Sequence, residues 1–153
     1  ARFATRGCCP ARYLVSVNVM TRQFHLTFFS ATVLTSLRKT GASHGHLKVE
    51  ITESALAYDL DLVEETLRTL RSMGIRISLD DFGTGYSSLG YLKRLSLDEL
   101  KIDQGFVRDI LDDPNDAAIA ETILALASAL KLSAVAAGVE TKGPLERLSL
   151  IHL

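Results

Sequence analysis

The chain of 153 residues has no tryptophan, three prolines and two cysteines, and its 17 lysine and arginine residues meet 18 aspartate and glutamate, a formal net charge of −1. The two cysteines, Cys8 and Cys9, are neighbours. A disulfide between adjacent residues is strained, and two thiols are too few for a four-ligand zinc site, so both read as reduced thiols in a cytoplasmic setting. Balanced charge leaves no basic excess to neutralise phosphates, which gives no electrostatic reason to expect a nucleic-acid polymer as partner. The longest apolar run, over residues 123–132, falls far short of the roughly 18 residues of a membrane span. Arg2, Arg6 and Arg12 mark the start of the chain without an apolar core ahead of a cleavage site, so no direct membrane segment and no signal peptide are expected. What remains is a globular composition, with 47% apolar and 23% charged residues. It excludes a disordered tail and a low-complexity segment, and the length fits one domain or part of one.

Strand and helix patterns alternate along the sequence. Strands are expected at residues 12–19, 47–52, 75–80, 97–103 and 133–137, and helices at 26–39, 61–73, 114–130 and 144–150, with a short helical stretch near 89–95. Asp61 and Glu64 form a capping-box spacing ahead of the stripe Val63, Leu67 and Leu70, and Gly74 can end that helix. Asp113-Pro114 opens the long helix, whose expected stripe is Ile119, Ile123, Leu126 and Leu130.

Such alternation fits an open doubly wound sheet or a closed barrel of βα units. Parallel strands covered on both faces read as near-continuous apolar runs. Here one parity is polar in four successive strands: Ser16 and Asn18; Lys48, Glu50 and Thr52; Arg76, Ser78 and Asp80; Glu99, Lys101 and Asp103. The mouth of a barrel gives that parity a place to face. The expected fold class is therefore α/β, a partial (β/α)8 TIM-type barrel with about five βα units, since a full barrel takes about 250 residues. Residues 1–12 are expected to be a poorly structured N-terminal segment ahead of an incomplete barrel domain at 13–153. Its two open sheet edges favour a homo-oligomer.

The sharpest candidate site is the doublet Asp80-Asp81 at a strand end, followed by Phe82, Gly83, Thr84 and Gly85. Hard divalent ions take oxygen ligands of this kind, and a glycine-rich loop can bring its backbone close to a phosphate. Asn18, Glu50 and Asp80 end successive strands, with Lys101 on the next. Oxygen donors plus a lysine around one mouth suit metal-assisted phosphoester hydrolysis. The plainer alternatives pair Glu50 with Lys48 and Lys101 with Asp103. His44 and His46, flanking Gly45, are explained by a polar loop.

Four stretches carry a family resemblance: Leu47-Lys48-Val49-Glu50-Ile51-Thr52-Glu53-Ser54, Asp80-Asp81-Phe82-Gly83-Thr84-Gly85-Tyr86-Ser87-Ser88-Leu89, Leu100-Lys101-Ile102-Asp103 and Ala137-Gly138-Val139-Glu140-Thr141. In order and spacing, over residues 15–148, they resemble the bacterial EAL domain. The resemblance implies a barrel that hydrolyses cyclic di-GMP to a linear dinucleotide with two Mg²⁺ or Mn²⁺ ions. It implies Asn18, Glu50 and Asp80 as metal ligands, Asp81 at the second ion, Lys101 positioning the catalytic water, and Glu53 anchoring the loop that starts at Asp80.

The departures are specific. The glutamate of the motif that names the family, and a Gln-containing segment after the last motif, have no counterpart in this sequence. Ala137 stands where the family has a glutamate. The metal site is thus expected to be incomplete and the isolated chain inactive. Two other readings follow: a degenerate EAL module that binds cyclic di-GMP or a protein without turnover, and a phosphorelay receiver. The receiver needs a phosphoacceptor aspartate between doublet and lysine, where only Asp98 stands, at a strand start.

Overall fold

The computed structural model describes residues 13–26, 28–56, 59–85, 89–140 and 142–151. Segment 1–12 with its two cysteines, and Tyr86, Ser87 and Ser88 of the loop, lie outside the described residues. In chain order the elements are β1 (Val15–Val19), α1 (Thr21–Phe24), α2 (Phe29–Thr40), β2 (Leu47–Thr52), α3 (Glu53–Leu56), α4 (Leu60–Ser72), β3 (Arg76–Phe82), α5 (Leu89–Arg94), β4 (Glu99–Ile102), α6 (Gln104–Arg108), α7 (Pro114–Ala129), β5 (Ser133–Ala136) and α8 (Lys142–Ile151).

All four strand pairings are parallel, and the sheet order is β1-β2-β3-β4-β5. This sequential order decides between the two architectures. Parallel crossovers share one hand, so strands added always on the same side keep every connecting helix on one face. A doubly wound sheet must reverse its order to cover the other face. The five βα units are therefore successive units of a (β/α)8-type barrel. On the helix side Val49, Ile51, Ile77, Leu79, Leu100 and Ile102 pack against Val63, Leu67, Leu70 and Ile123 in one core. The other face carries the polar parity, with Lys48, Glu50 and Ser78 buried on it. At the sheet edge Val15 and Val17 of β1 remain 41% and 45% exposed.

Several local expectations shift. The helix expected at 26–39 starts later, since Leu26 is exposed and α2 begins at Phe29, and it ends as expected at a left-handed Gly41. The cap of α4 is Asp59, whose carboxylate accepts from the Leu62 backbone N–H at 3.1 Å. Asp61 sits two residues too late to cap; it and Glu64 both pair with Arg94 instead, tying α4 to α5. Three short helices, α1, α3 and α6, escape the sequence pattern because one turn cannot show a helical period. The stripe of α7 is also rotated: Ala117, Ala120, Ile123, Leu124 and Ala127 face the core, whereas Ile119 and Leu130 are exposed. Small alanines let the helix approach the sheet closely, so the face with less hydrophobic bulk is the buried one.

That rotation is testable. Ile123→Ala is expected to cost about 2–5 kcal/mol and Ile119→Ala less than about 1 kcal/mol, read from urea denaturation midpoints at constant slope. Equal losses would restore the sequence-derived stripe.

Candidate active site at the strand ends

The site begins with an irregularity in β3. Leu79 pairs with Leu100 and Phe82 with Ile102, so the doublet Asp80-Asp81 stands opposite the single residue Lys101. One extra residue in a strand reverses the alternation beyond it. Ile77 and Leu79 point to the core, and after the extra residue Phe82 does too, although its parity is opposite. Asp81 absorbs the change with φ of 54°, a left-handed conformation in which an aspartate is among the few tolerated side chains. Strand β3 thus runs to Phe82, two residues past its expected end.

Asp80 faces the polar side. Its Oδ2 accepts from Lys101 Nζ at 2.7 Å, and its Oδ1 accepts from the Asp81 backbone N–H at 3.0 Å. From β2, Glu50 Oε2 accepts from the same ammonium at 3.0 Å. Lys101 therefore bonds both carboxylates and does not pair with Asp103. Glu50 Oε1 lies 3.5 Å from Lys48 Nζ, so that plainer pairing exists alongside the site rather than instead of it. Asn18 stands in register with Glu50 on β1, on the same face, at an exposed position.

Burial alone would raise the Glu50 carboxyl, but hydrogen bonds from Lys101 and Ser16 and the charges of Lys101 and Lys48 bring it below the usual range. Burial likewise works against the Lys101 ammonium, yet the bonds to Asp80 and Glu50 carry it above the ordinary lysine value. Both groups are therefore charged at neutral pH. Asp81 is different. Burial first, and then the charges of Asp80 and Asp103, push its carboxyl up. It faces Asp103, which caps α6 by accepting from the Gly105 N–H at 2.7 Å.

Glu53, buried at the start of α3, reaches the loop after the doublet. Its Oε2 accepts from the backbone N–H of Gly83 at 3.0 Å and of Gly85 at 3.3 Å. A Cβ on Gly85 would lie 2.7 Å from Glu53 Oε1, so a side chain there would push the carboxylate aside. Gly83 has φ of 101°, which favours glycine for backbone reasons alone. Thr84 Oγ1 donates to the Asp81 carbonyl at 2.9 Å, and Phe82 packs into the core rather than into the site.

Among the described residues no three His, Cys, Asp or Glu side chains converge on one point. Two do, and the point between Glu50 and Asp80 already holds a positive charge, the Lys101 ammonium. Hard oxygen donors around a cation are the chemistry Mg²⁺ or Mn²⁺ requires, so these residues fit such an ion. Ala137, directly after β5, donates its N–H to the Ile102 carbonyl at 3.2 Å and offers the site no oxygen side chain. His44 Nδ1 lies 3.0 Å from the Met73 carbonyl oxygen, which keeps this histidine in loop packing. Sequence reasoning passed over Asp103 as a partner of Asp81, and over Ser16 and Glu99 as site neighbours. Their shared polar parity was the available signal.

Because the Asp81 carboxyl is raised, its ionisation costs stability as pH rises through the carboxylate range, and the cost is fully present at pH 7. In metal-free buffer Asp81→Asn, which also suits a left-handed φ, is expected to raise Tm at pH 7 by about 1–3 °C, a small gain because the side chain is solvent-screened. Calorimetry at pH 7 and pH 3 checks the sign, since the gain should shrink at the lower pH.

Comparison with known proteins places this geometry. The EAL domain family model matches residues 1–152. The bifunctional diguanylate cyclase/cyclic di-GMP phosphodiesterase MucR of Pseudomonas aeruginosa is 44% identical over 139 residues, covering 91% of this chain and 20% of that protein. The chain thus spans about a fifth of the length of that relative. The PaMucR phosphodiesterase structure with c-di-GMP superposes with a TM-score of 0.86 at 43% identity, over 90% of this chain and 56% of that one. Klebsiella pneumoniae BlrP1, solved as a manganese and cyclic di-GMP complex, superposes with a TM-score of 0.85 at 28% identity, over 94% and 37% of the two chains. The parallel sheet, the strand-end cluster and a family match over nearly the whole sequence agree: this chain belongs to the EAL domain family.

Proposed function

We propose that the chain carries the site of a cyclic di-GMP phosphodiesterase, with Glu50, Asp80 and Lys101 at its centre. The observation that carries this reading is the Lys101 ammonium bonded at once to Glu50 and Asp80, at the end of the strands where barrel enzymes of this class place their chemistry. Family membership and the ligands named for PaMucR and BlrP1 supply the substrate class. The cytoplasmic setting expected from the sequence belongs to the same reading, and no helix of the described residues is long and apolar enough to cross a membrane.

Glu50 and Asp80, with Asn18 from β1 and Asp81 as the second residue of the doublet, would hold Mg²⁺ or Mn²⁺. Such ions, when bound, offset the charge that develops on phosphoryl oxygens during displacement. The protein's own part is orientation. Lys101, charged at neutral pH and fixed by two carboxylates, can orient a water toward phosphorus and stabilise the charge on it. Glu53 fixes the backbone at Gly83 and Gly85, which sets the path of the loop beside the site.

A second reading has its own observation. Ala137 presents a methyl group where a carboxylate would add a further oxygen donor, which favours ligand binding without turnover. In the isolated chain Mn²⁺ at millimolar concentration is expected to raise Tm by several degrees, Asp80→Asn to abolish that rise, and Ala137→Glu to enlarge it. Hydrolysis is expected to stay at buffer background in the native chain. Product that appears with Mn²⁺ and disappears with Asp80→Asn would instead establish a complete phosphodiesterase site. A melting temperature indifferent to Mg²⁺ and Mn²⁺ would defeat both readings.

We also infer self-association of the isolated chain. β1 and β5 are the outer strands of the described sheet, and exposed Val15 and Val17 add apolar surface beside unpaired backbone. Light scattering at micromolar concentration should give at least a dimer mass, and a sharp monomer peak would count against it.

A further inference from the structure

One layer beneath the site stands a second charged group. Lys48 precedes Glu50 by two residues on β2, and Glu99 precedes Lys101 by two on β4, so all four side chains share the polar face. Lys48 is only 9% exposed. Its ammonium lies 2.6 Å from Glu99 Oε1 and 3.5 Å from Glu50 Oε1, so two carboxylates compete for one cation and Glu99 holds it closer. Glu99 Oε1 is fixed in turn by the hydroxyl of Ser78, a fully buried side chain that donates to it at 2.9 Å.

We propose that Glu99 is a positioning residue for the cation site: by holding the Lys48 ammonium against itself, it keeps Glu50 Oε1 available to a divalent ion. The proposal rests on the reading of Glu50 and Asp80 as cation ligands. The physics is competition at one oxygen. Glu50 Oε2 is already engaged by Lys101, so Oε1 is the oxygen of that carboxylate with the longer ammonium contact. An ammonium at full hydrogen-bond distance there would occupy the lone pairs and offset the negative charge that a divalent ion needs. Without the Glu99 charge, Lys48 has one carboxylate within reach, and burial of an unpaired ammonium is costly enough to draw it there. Ser78 serves the same end, since its hydroxyl fixes the oxygen that anchors Lys48.

A double-mutant cycle that removes each charge in turn tests this on the purified chain, with Mn²⁺ affinity from titration calorimetry as the readout and circular dichroism as the fold control. Glu99→Gln is expected to weaken Mn²⁺ binding about tenfold, Lys48→Met to tighten it about fivefold, and the double variant to return within threefold of the native chain. Mn²⁺ binding unchanged in Glu99→Gln, or a double variant as weak as Glu99→Gln, would overturn the proposal, because a purely structural loss is not rescued by removing the competing ammonium. Should Glu99→Gln not fold, Lys48→Met decides alone: tighter binding supports the competition, and unchanged or weaker binding refutes it. A native chain that binds no Mn²⁺ would defeat the cation-site reading itself, and this proposal with it. A native chain that binds while the cycle fails would defeat this proposal only.

Discussion

Everything at the strand ends depends on one ammonium between two carboxylates. Lys101, Glu50 and Asp80 come from three adjacent strands, and all three side chains are largely withdrawn from solvent. Burying them singly would be unfavourable; together they satisfy one another, and Lys48, Ser16 and the Asp81 backbone N–H add further contacts to the two carboxylates. Removing one partner of such a group is costly because it leaves a withdrawn charge unpaired, whereas an exposed pair such as Arg108 with Asp109 is screened by water and adds little. The mouth is therefore a constraint on the sheet as much as a chemical site. It fixes which face of β2, β3 and β4 can point inward.

The extra residue in β3 reconciles that constraint with the core. Strict alternation would send Phe82 to the polar face and Asp81 among the helices. With Asp80-Asp81 opposite Lys101 alone, Asp80 reaches the ammonium, Phe82 reaches the core, and Asp81 is turned out toward Asp103. The strain of a left-handed aspartate and the crowding of three carboxyls are concentrated at one position. Local strain kept in this way beside a reactive cluster is a common feature of functional sites. The loop beyond inherits its path from Glu53, which binds two backbone amides that a glycine-rich stretch leaves accessible.

The layer of Lys48, Ser78 and Glu99 shows the same logic one step deeper. Charges on a barrel's inner face cannot be screened by bulk water, so each must be paired locally, and the choice of partner sets what is left over for a ligand. The exposed networks on the helix side, Arg94 with Asp61 and Glu64, and Arg71 with Asp98, hold elements together without such consequences.

The sequence by itself determined the alternation of strands and helices, the polar parity of four strands and the doublet with its glycine loop, because period and composition are local properties. It also located Asn18, Glu50, Asp80 and Lys101 at strand ends, which the parallel register then aligned. Only the tertiary structure decided which charges meet. Lys101 could have paired with Asp103 two residues away; it bonds Glu50 and Asp80 because the sheet sets these three side by side. The extra residue in β3 exists only relative to the spacing of β4, and the buried face of α7 only relative to the sheet beneath it. The cap of α4 moved to Asp59 because backbone geometry, not residue spacing, decides which carboxylate reaches a free N–H. Each of these outcomes depends on partners distant in sequence, whose pairing no local pattern encodes.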